Sequence, residues 1–73
     1  MKVGMLWLDA DKRRTLEEKV HRAVDYYEEK YGRLPELCLV NSQAVAGEKK
    51  IGTVKVQPAK NMIPHHFWLG MNS

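Results

Sequence analysis

Polar residues of the kind that bind ligands follow the two most apolar segments of the chain. Asp9 and Asp11 come directly after an apolar run that ends at Leu8, and Asn41 follows the apolar run 37–40. Because the carboxyl ends of parallel strands meet at one edge of an open α/β sheet, such positions are where small-molecule or phosphate sites form. The same residue types are also the ordinary chemistry of turns and helix entries. We therefore treat Asp9, Asp11 and Asn41 as a candidate pocket without assigning a reaction.

Two adjacent histidines, His65 and His66, add titratable groups to this candidate pocket. Neighbouring side chains in an extended segment point to opposite sides, so the two imidazoles do not bind one metal ion together. A zinc site needs three or four ligands, and His21 and Cys38 do not supply the usual short ligand spacings. We expect no metal and no cofactor. A metal- or phosphate-dependent enzyme is therefore the third interpretation of the chain.

Basic residues cluster in segments between the apolar runs. The chain has twelve Lys and Arg against nine Asp and Glu, for a formal net charge of +3. Basic groups interleaved with aromatic side chains are typical of proteins that bind single-stranded nucleic acid, so nucleic-acid binding is the second interpretation. For a charge excess this mild, a solvated surface that keeps the protein soluble is the favoured explanation. The basic candidates are Lys12, Arg13, Arg14, Lys49, Lys50 and Lys60, and the sheet aromatics are Trp7, Phe67 and Trp68.

One amphipathic helix, over 16–31, is the element that the sequence predicts most directly. Thr15 and Glu18 have the spacing of a capping box at its start. Gly32 can take the left-handed conformation that ends a helix, and Pro35 prevents continuation. Apolar residues recur at the helical period and form a stripe that is predicted to be buried. The stripe consists of Leu16, Val20, Ala23, Val24, Tyr27 and Tyr31.

Four apolar or alternating segments predict strands around this helix. Segments 3–8 and 37–40 are apolar on both faces, which is typical of interior parallel strands. Segment 51–56 alternates and predicts a half-exposed strand that Pro58 ends, and 66–71 predicts the last strand. The resulting order, β-α-β-β-β, predicts a small α+β domain of α/β type. Its sheet is mixed and has three to four strands, with the helix packed on one face.

The size of the chain limits how it can be stabilised. At 73 residues there is room for a single domain, and a core of this size rarely supplies more than about 3–5 kcal/mol without disulfides, a metal or a partner chain. Cys38 is the only cysteine, so the chain forms no internal disulfide, which fits a reducing compartment. The amino-terminal apolar run is too short for a signal peptide or a membrane span. We therefore expect a cytoplasmic protein without a membrane segment.

The predicted sheet has more apolar surface than the predicted helix can cover. One helix shields one face, whereas segments 3–8 and 37–40 are apolar on both faces. A second copy of the chain is the simplest cover for the remaining surface. The first interpretation is therefore a homodimer or higher homo-oligomer that serves as a binding or interaction module rather than an enzyme. Its copies would associate face to face or along a sheet edge.

Overall fold

The computed structural model describes residues 4–71, which form one α-helix and one five-stranded mixed sheet. The predicted small α+β class is confirmed. Val3, the first residue of the predicted first strand, lies outside the described residues. The elements in chain order are β1 (Gly4–Leu8), α1 (Leu16–Tyr31), β2 (Leu37–Asn41), β3 (Lys49–Ile51), β4 (Val54–Ala59) and β5 (His66–Gly70).

The helix begins and ends at the residues that the sequence predicts. The Glu18 N–H donates to Thr15 Oγ1 at 3.2 Å, and the Thr15 N–H donates to Glu18 Oε1 at 2.9 Å, so the capping box is complete. Gly32 has a φ of 75°, the left-handed conformation that glycine adopts without a Cβ clash. Along 4–71, no helix is long and apolar enough to cross a membrane.

The apolar stripe of α1 is buried along its middle. Leu16, at its start, is only partly buried. Tyr31 is 36% exposed, so its predicted place in the core is wrong. It is the last helical residue, and its ring packs on that of Tyr27 with centroids 4.6 Å apart. The buried positions are Val20, Ala23, Val24 and Tyr27.

The strands are ordered β1-β5-β2-β4-β3 across the sheet. β5 is antiparallel to both of its neighbours, so β1 and β2 run in the same direction without touching. β2 and β4 are parallel, and β3 and β4 are antiparallel. The prediction that segment 3–8 forms an interior strand is wrong, because β5 returns to lie between β1 and β2 and leaves β1 at the edge.

The predicted strand over 51–56 is in fact parts of two strands joined by a tight turn. Ile51 pairs with Val54, which leaves Gly52 and Thr53 as a two-residue hairpin loop. Gly52 has a φ of 61°, whereas Thr53 has no positive φ, the pattern of a type II′ turn with glycine in first place. The sheet therefore has five strands rather than three to four, since Gly52 reverses the chain instead of continuing a strand.

Pro58 does not end the strand that contains it. β4 continues to Ala59, and Pro58 lies opposite Val40 of β2. β3 pairs with β4 no further than Val56. Beyond that point no described strand pairs with the outer side of β4, and the missing N–H of a proline is tolerated there.

A core cluster joins α1 to alternate residues of the strands. Because successive side chains of a strand point to opposite sides of the sheet, the clustered strand residues share one side, which we call the core face. The opposite side, the second face, carries Leu6, Leu8, Leu39, Lys55, Gln57 and Trp68. The cluster comprises Met5, Val20, Ala23, Val24, Tyr27, Cys38, Val40, Ile51, Val54, Val56, Phe67 and Leu69.

Candidate functional site

Four of the five predicted pocket residues meet at one end of the sheet. The carboxyl ends of β1 and β2 and the start of β5 lie there, so Asp9, Asn41, His65 and His66 are near one another. The Asp9 N–H donates to the His65 carbonyl at 3.0 Å. Asn41 Nδ2 donates to the Met62 carbonyl at 2.8 Å. These bonds attach the loop before β5 to the ends of β1 and β2.

The fifth predicted residue, Asp11, belongs to a network of carboxylates and arginines after β1. The buried Asp9 carboxylate accepts from the Asp11 N–H at 3.1 Å and pairs with Arg14 at 3.3 Å. Asp11 pairs with both Arg13 and Arg14, each at 3.1 Å. The hydrogen bonds from Arg13 hold the pKa of Asp11 below its ordinary value. Both carboxylates are therefore compensated within the network, which fixes the loop that leads into α1.

The two histidines differ in their surroundings. His65 is exposed and has a φ of 69°, which separates it from the regular strand that begins at His66. His66 Nδ1 lies 3.0 Å from the Pro64 carbonyl. No group of three His, Cys, Asp or Glu side chains within 4–71 is arranged to hold a metal ion. Cys38 is buried, and desolvation raises the pKa of its thiol to about 12, so this thiol is protonated and unreactive at neutral pH.

The predicted basic residues lie on different parts of the sheet. Arg13 and Arg14 follow β1, where both are paired with aspartates. Lys49 and Lys50 lie on β3, the opposite edge strand. Lys12 belongs to the loop after β1, and Lys60 follows β4. These cations are therefore spread across the width of the sheet, from the loop after β1 to β3.

The aromatic candidates for base stacking also have different surroundings. Phe67 is buried in the core cluster. Trp7 packs against Tyr26, with ring centroids 5.0 Å apart. Trp68 is half-buried on the second face, where its ring covers Gly4 and Gly70 so closely that a Cβ at either glycine would overlap it. Trp68 is therefore the aromatic side chain that the second face presents.

A groove of about 600 Å³ lies where β3 and β4 meet. Glu48 Oε2 lies 3.6 Å from Lys55 Nζ and accepts from Gln57 Nε2 at 2.8 Å. The bond from Gln57 and the charge of Lys55 lower the pKa of Glu48. This part of the protein is polar and contains both charges, since the groove is lined by Glu36, Glu48, Lys49, Lys50, Thr53 and Lys55.

The exposed apolar surface of the sheet lies at its other edge, on β1. Leu6 and Leu8 are each 61% exposed and point to the second face. Leu39 and Trp68, nearer the middle of the sheet, are half-buried. The sequence shows that this segment is apolar on both faces, but it does not show that the segment lies at an edge.

On the core-face side of β1, Trp7 adjoins the outer surface of α1. A shallow groove of about 250 Å³ lies between them, lined by Trp7, Arg22, Asp25, Tyr26 and Glu29. The indole N–H of Trp7 is buried and has no acceptor within the described part of the chain. Tyr26 lies outside the apolar stripe of the helix, and its ring packs against Trp7 instead of entering the core.

The fold and these surfaces define a small α+β protein with an apolar sheet edge. Comparisons of the chain with protein-family models, curated proteins and solved structures give no match.

Proposed function

We propose that this protein is a small interaction module that acts as a homo-oligomer, in its simplest form a homodimer. The observation that carries the proposal is the exposure of Leu6 and Leu8, two large apolar side chains side by side on one strand at the edge of the sheet. Exposed apolar surface of this kind marks a place where another molecule binds.

The two faces of the sheet differ in how much of their apolar surface is covered, and this difference supports self-association. In this proposal α1 packs over the core face, where its four buried side chains join the core cluster. The second face has no such cover within 4–71, and Leu6 and Leu8 remain in contact with solvent. A second copy supplies apolar cover for these two side chains, which residues 4–71 leave exposed. We place the module in the cytoplasm, where its single buried cysteine stays reduced.

The two alternative functions have less support in the geometry. Nucleic-acid binding needs a continuous basic surface, whereas the predicted cations are spread from the loop after β1 to β3 at the opposite edge, and two of them are paired with aspartates. A metal- or phosphate-dependent reaction needs free ligands at the carboxyl end of the sheet. There Asp9, Asp11 and Asn41 are engaged in bonds that hold the loops.

Sedimentation equilibrium across the micromolar range tests the proposal. We expect the wild-type chain to sediment with twice the monomer mass. Leu8→Lys places a charge on the exposed apolar strand and should reduce the mass to that of a monomer. Leu34→Lys is the matched control, because Leu34 is also exposed, at 43%, but lies between α1 and β2 rather than on β1. A wild-type chain that remains monomeric throughout this range contradicts the proposal.

A further inference from the structure

We propose that the homodimer forms along β1, by antiparallel pairing of this strand with β1 of a second copy, centred on Leu6. The inference rests on the proposed self-association and names the surface that produces it. Pairing of this kind joins the two sheets into one ten-stranded sheet across a two-fold axis.

The two edges of the sheet differ in how well they are protected against such pairing. β3 has three residues, two of which are Lys49 and Lys50. Short edge strands and edge lysines prevent the addition of another strand. β1 has five residues, GMLWL, with neither a charge nor a proline. β1 is therefore the edge that is open to another strand.

The backbone of β1 directs hydrogen-bonding groups to this edge, beside which no further strand lies within 4–71. Leu8 lies opposite His66, and in the same register the Asp9 N–H donates to the His65 carbonyl at 3.0 Å. The N–H of His66 donates to the Ile63 carbonyl at 3.2 Å. Because bonded and non-bonded pairs alternate in an antiparallel ladder, the peptide groups of Leu8, and of Leu6 two residues earlier, point away from β5. These groups are available to a second β1.

The exposed side chains fit edge pairing better than face-to-face packing. Face-to-face packing would cover the middle of the second face, where Leu39 and Trp68 are already half-buried. The most exposed large apolar side chains on the strands are instead Leu6 and Leu8, both on β1, whereas the equally exposed Ile63 lies in the loop before β5. Pairing centred on Leu6 places each Leu6 beside its copy at a Cβ separation of roughly 5 Å, and each Leu8 faces Gly4 of the second copy.

The helix surface beside β1 has the charge pattern that a two-fold interface needs. The groove next to Trp7 is lined by Arg22, Asp25 and Glu29, and Lys30 adjoins Glu29. A two-fold interface brings a surface against itself, so that surface must be complementary to itself. Two positive and two negative side chains meet this condition, because cations of one copy can face carboxylates of the other. Such pairs orient the partners more than they strengthen binding, and they favour a second copy over a partner of one charge sign.

A proline substitution separates the backbone contribution from the side-chain contribution. Leu6→Pro removes the side chain and also the outward N–H, whereas Leu6→Ala removes the side chain alone. We expect Leu6→Pro to halve the sedimenting mass at concentrations where Leu6→Ala remains a dimer, with the far-ultraviolet circular dichroism of both variants unchanged. If the two variants sediment with the same mass, edge pairing is contradicted, but self-association by another surface is not. A monomeric wild-type chain overturns the proposed function itself.

Disulfide cross-linking gives a second test that does not depend on the folding of the proline variant. Paired residues in an antiparallel ladder have Cα atoms about 4.5–5.5 Å apart, within the range of a disulfide. Leu6→Cys should therefore oxidise to a covalent dimer, whereas Lys50→Cys, on the opposite edge strand, should not. Cys38 does not interfere, because it is buried. Cross-linking of Leu6→Cys no faster than that of Lys50→Cys contradicts the inference.

Discussion

Among single residues, Asp9 shows how the polar side chains at the carboxyl end of the sheet are used. Its buried carboxylate accepts from the Asp11 N–H and pairs with Arg14, and its own N–H donates to the loop before β5. A buried carboxylate needs such partners, since leaving one unpaired is strongly unfavourable. The bonds that compensate for burial of the Asp9 carboxylate therefore also occupy the oxygen atoms that a ligand would need.

Cys38 makes the stability of the protein sensitive to alkaline pH. Burial raises the pKa of its thiol from 9.0 to about 12. Between these values the unfolded chain releases the proton and the folded chain keeps it, so folding stability falls as pH rises. The loss attributable to Cys38 is at most about 1.4 kcal/mol per pH unit. Urea denaturation from pH 9 to 12 should therefore show a shallower decline for Cys38→Ala than for the wild-type chain, and parallel declines would contradict this expectation.

Trp68 and Gly70 form a pair in which the glycine makes room for the ring. A Cβ at Gly70 would overlap the indole of Trp68, and overpacking of this kind costs about 1–3 kcal/mol. Gly70→Ala should lower the free energy of unfolding by such an amount in the wild-type background. In a Trp68→Ala background the cost should largely disappear. A double-mutant cycle measures the coupling, and an equal cost in both backgrounds would show that the ring is not the cause.

Among the elements, the β3–β4 hairpin depends on the turn at Gly52. Its φ of 61° is unfavourable for a residue with a Cβ. Gly47, in the segment before β3, has no positive φ and open space around it. The turn conformation, rather than the glycine content of this region, therefore determines where the chain reverses.

Alanine substitutions at these two glycines should change the free energy of unfolding by different amounts, or in opposite directions. Gly52→Ala should destabilise the protein by about 1–2 kcal/mol, because alanine disfavours the left-handed conformation. Gly47→Ala should leave stability unchanged or raise it by about 0.4–1 kcal/mol, because it restricts the unfolded chain. Urea denaturation measures both values. A Gly52→Ala variant as stable as Gly47→Ala would rule out the proposed turn type.

At the scale of the whole molecule, self-association couples stability to protein concentration. A dimer that is more stable than its separated monomers unfolds at a temperature that rises with concentration. Thermal unfolding followed by circular dichroism should therefore give a Tm that increases with concentration for the wild-type chain. Leu8→Lys should show a Tm independent of concentration, and the same independence in the wild-type chain would contradict dimerisation.

Local interactions allow the sequence by itself to determine the helix and the two-sided character of the strands. The capping box and the left-handed Gly32 involve residues a few positions apart, so the bounds of α1 follow from the sequence alone. The apolar character of 37–40 on both faces is likewise visible in the residue types themselves, and three of its four residues are buried.

Only the tertiary structure decides which strands are neighbours. β5 inserts between β1 and β2, and its pairing joins residues some sixty positions apart, such as Met5 and Leu69. That choice depends on the packing of the whole sheet rather than on local preference. It places Trp68 over Gly4 and brings Asp9 to the loop before β5. The same strand order places Leu6 and Leu8 at the edge of the sheet. β5 pairs with one side of β1, and no strand within 4–71 pairs with the other side.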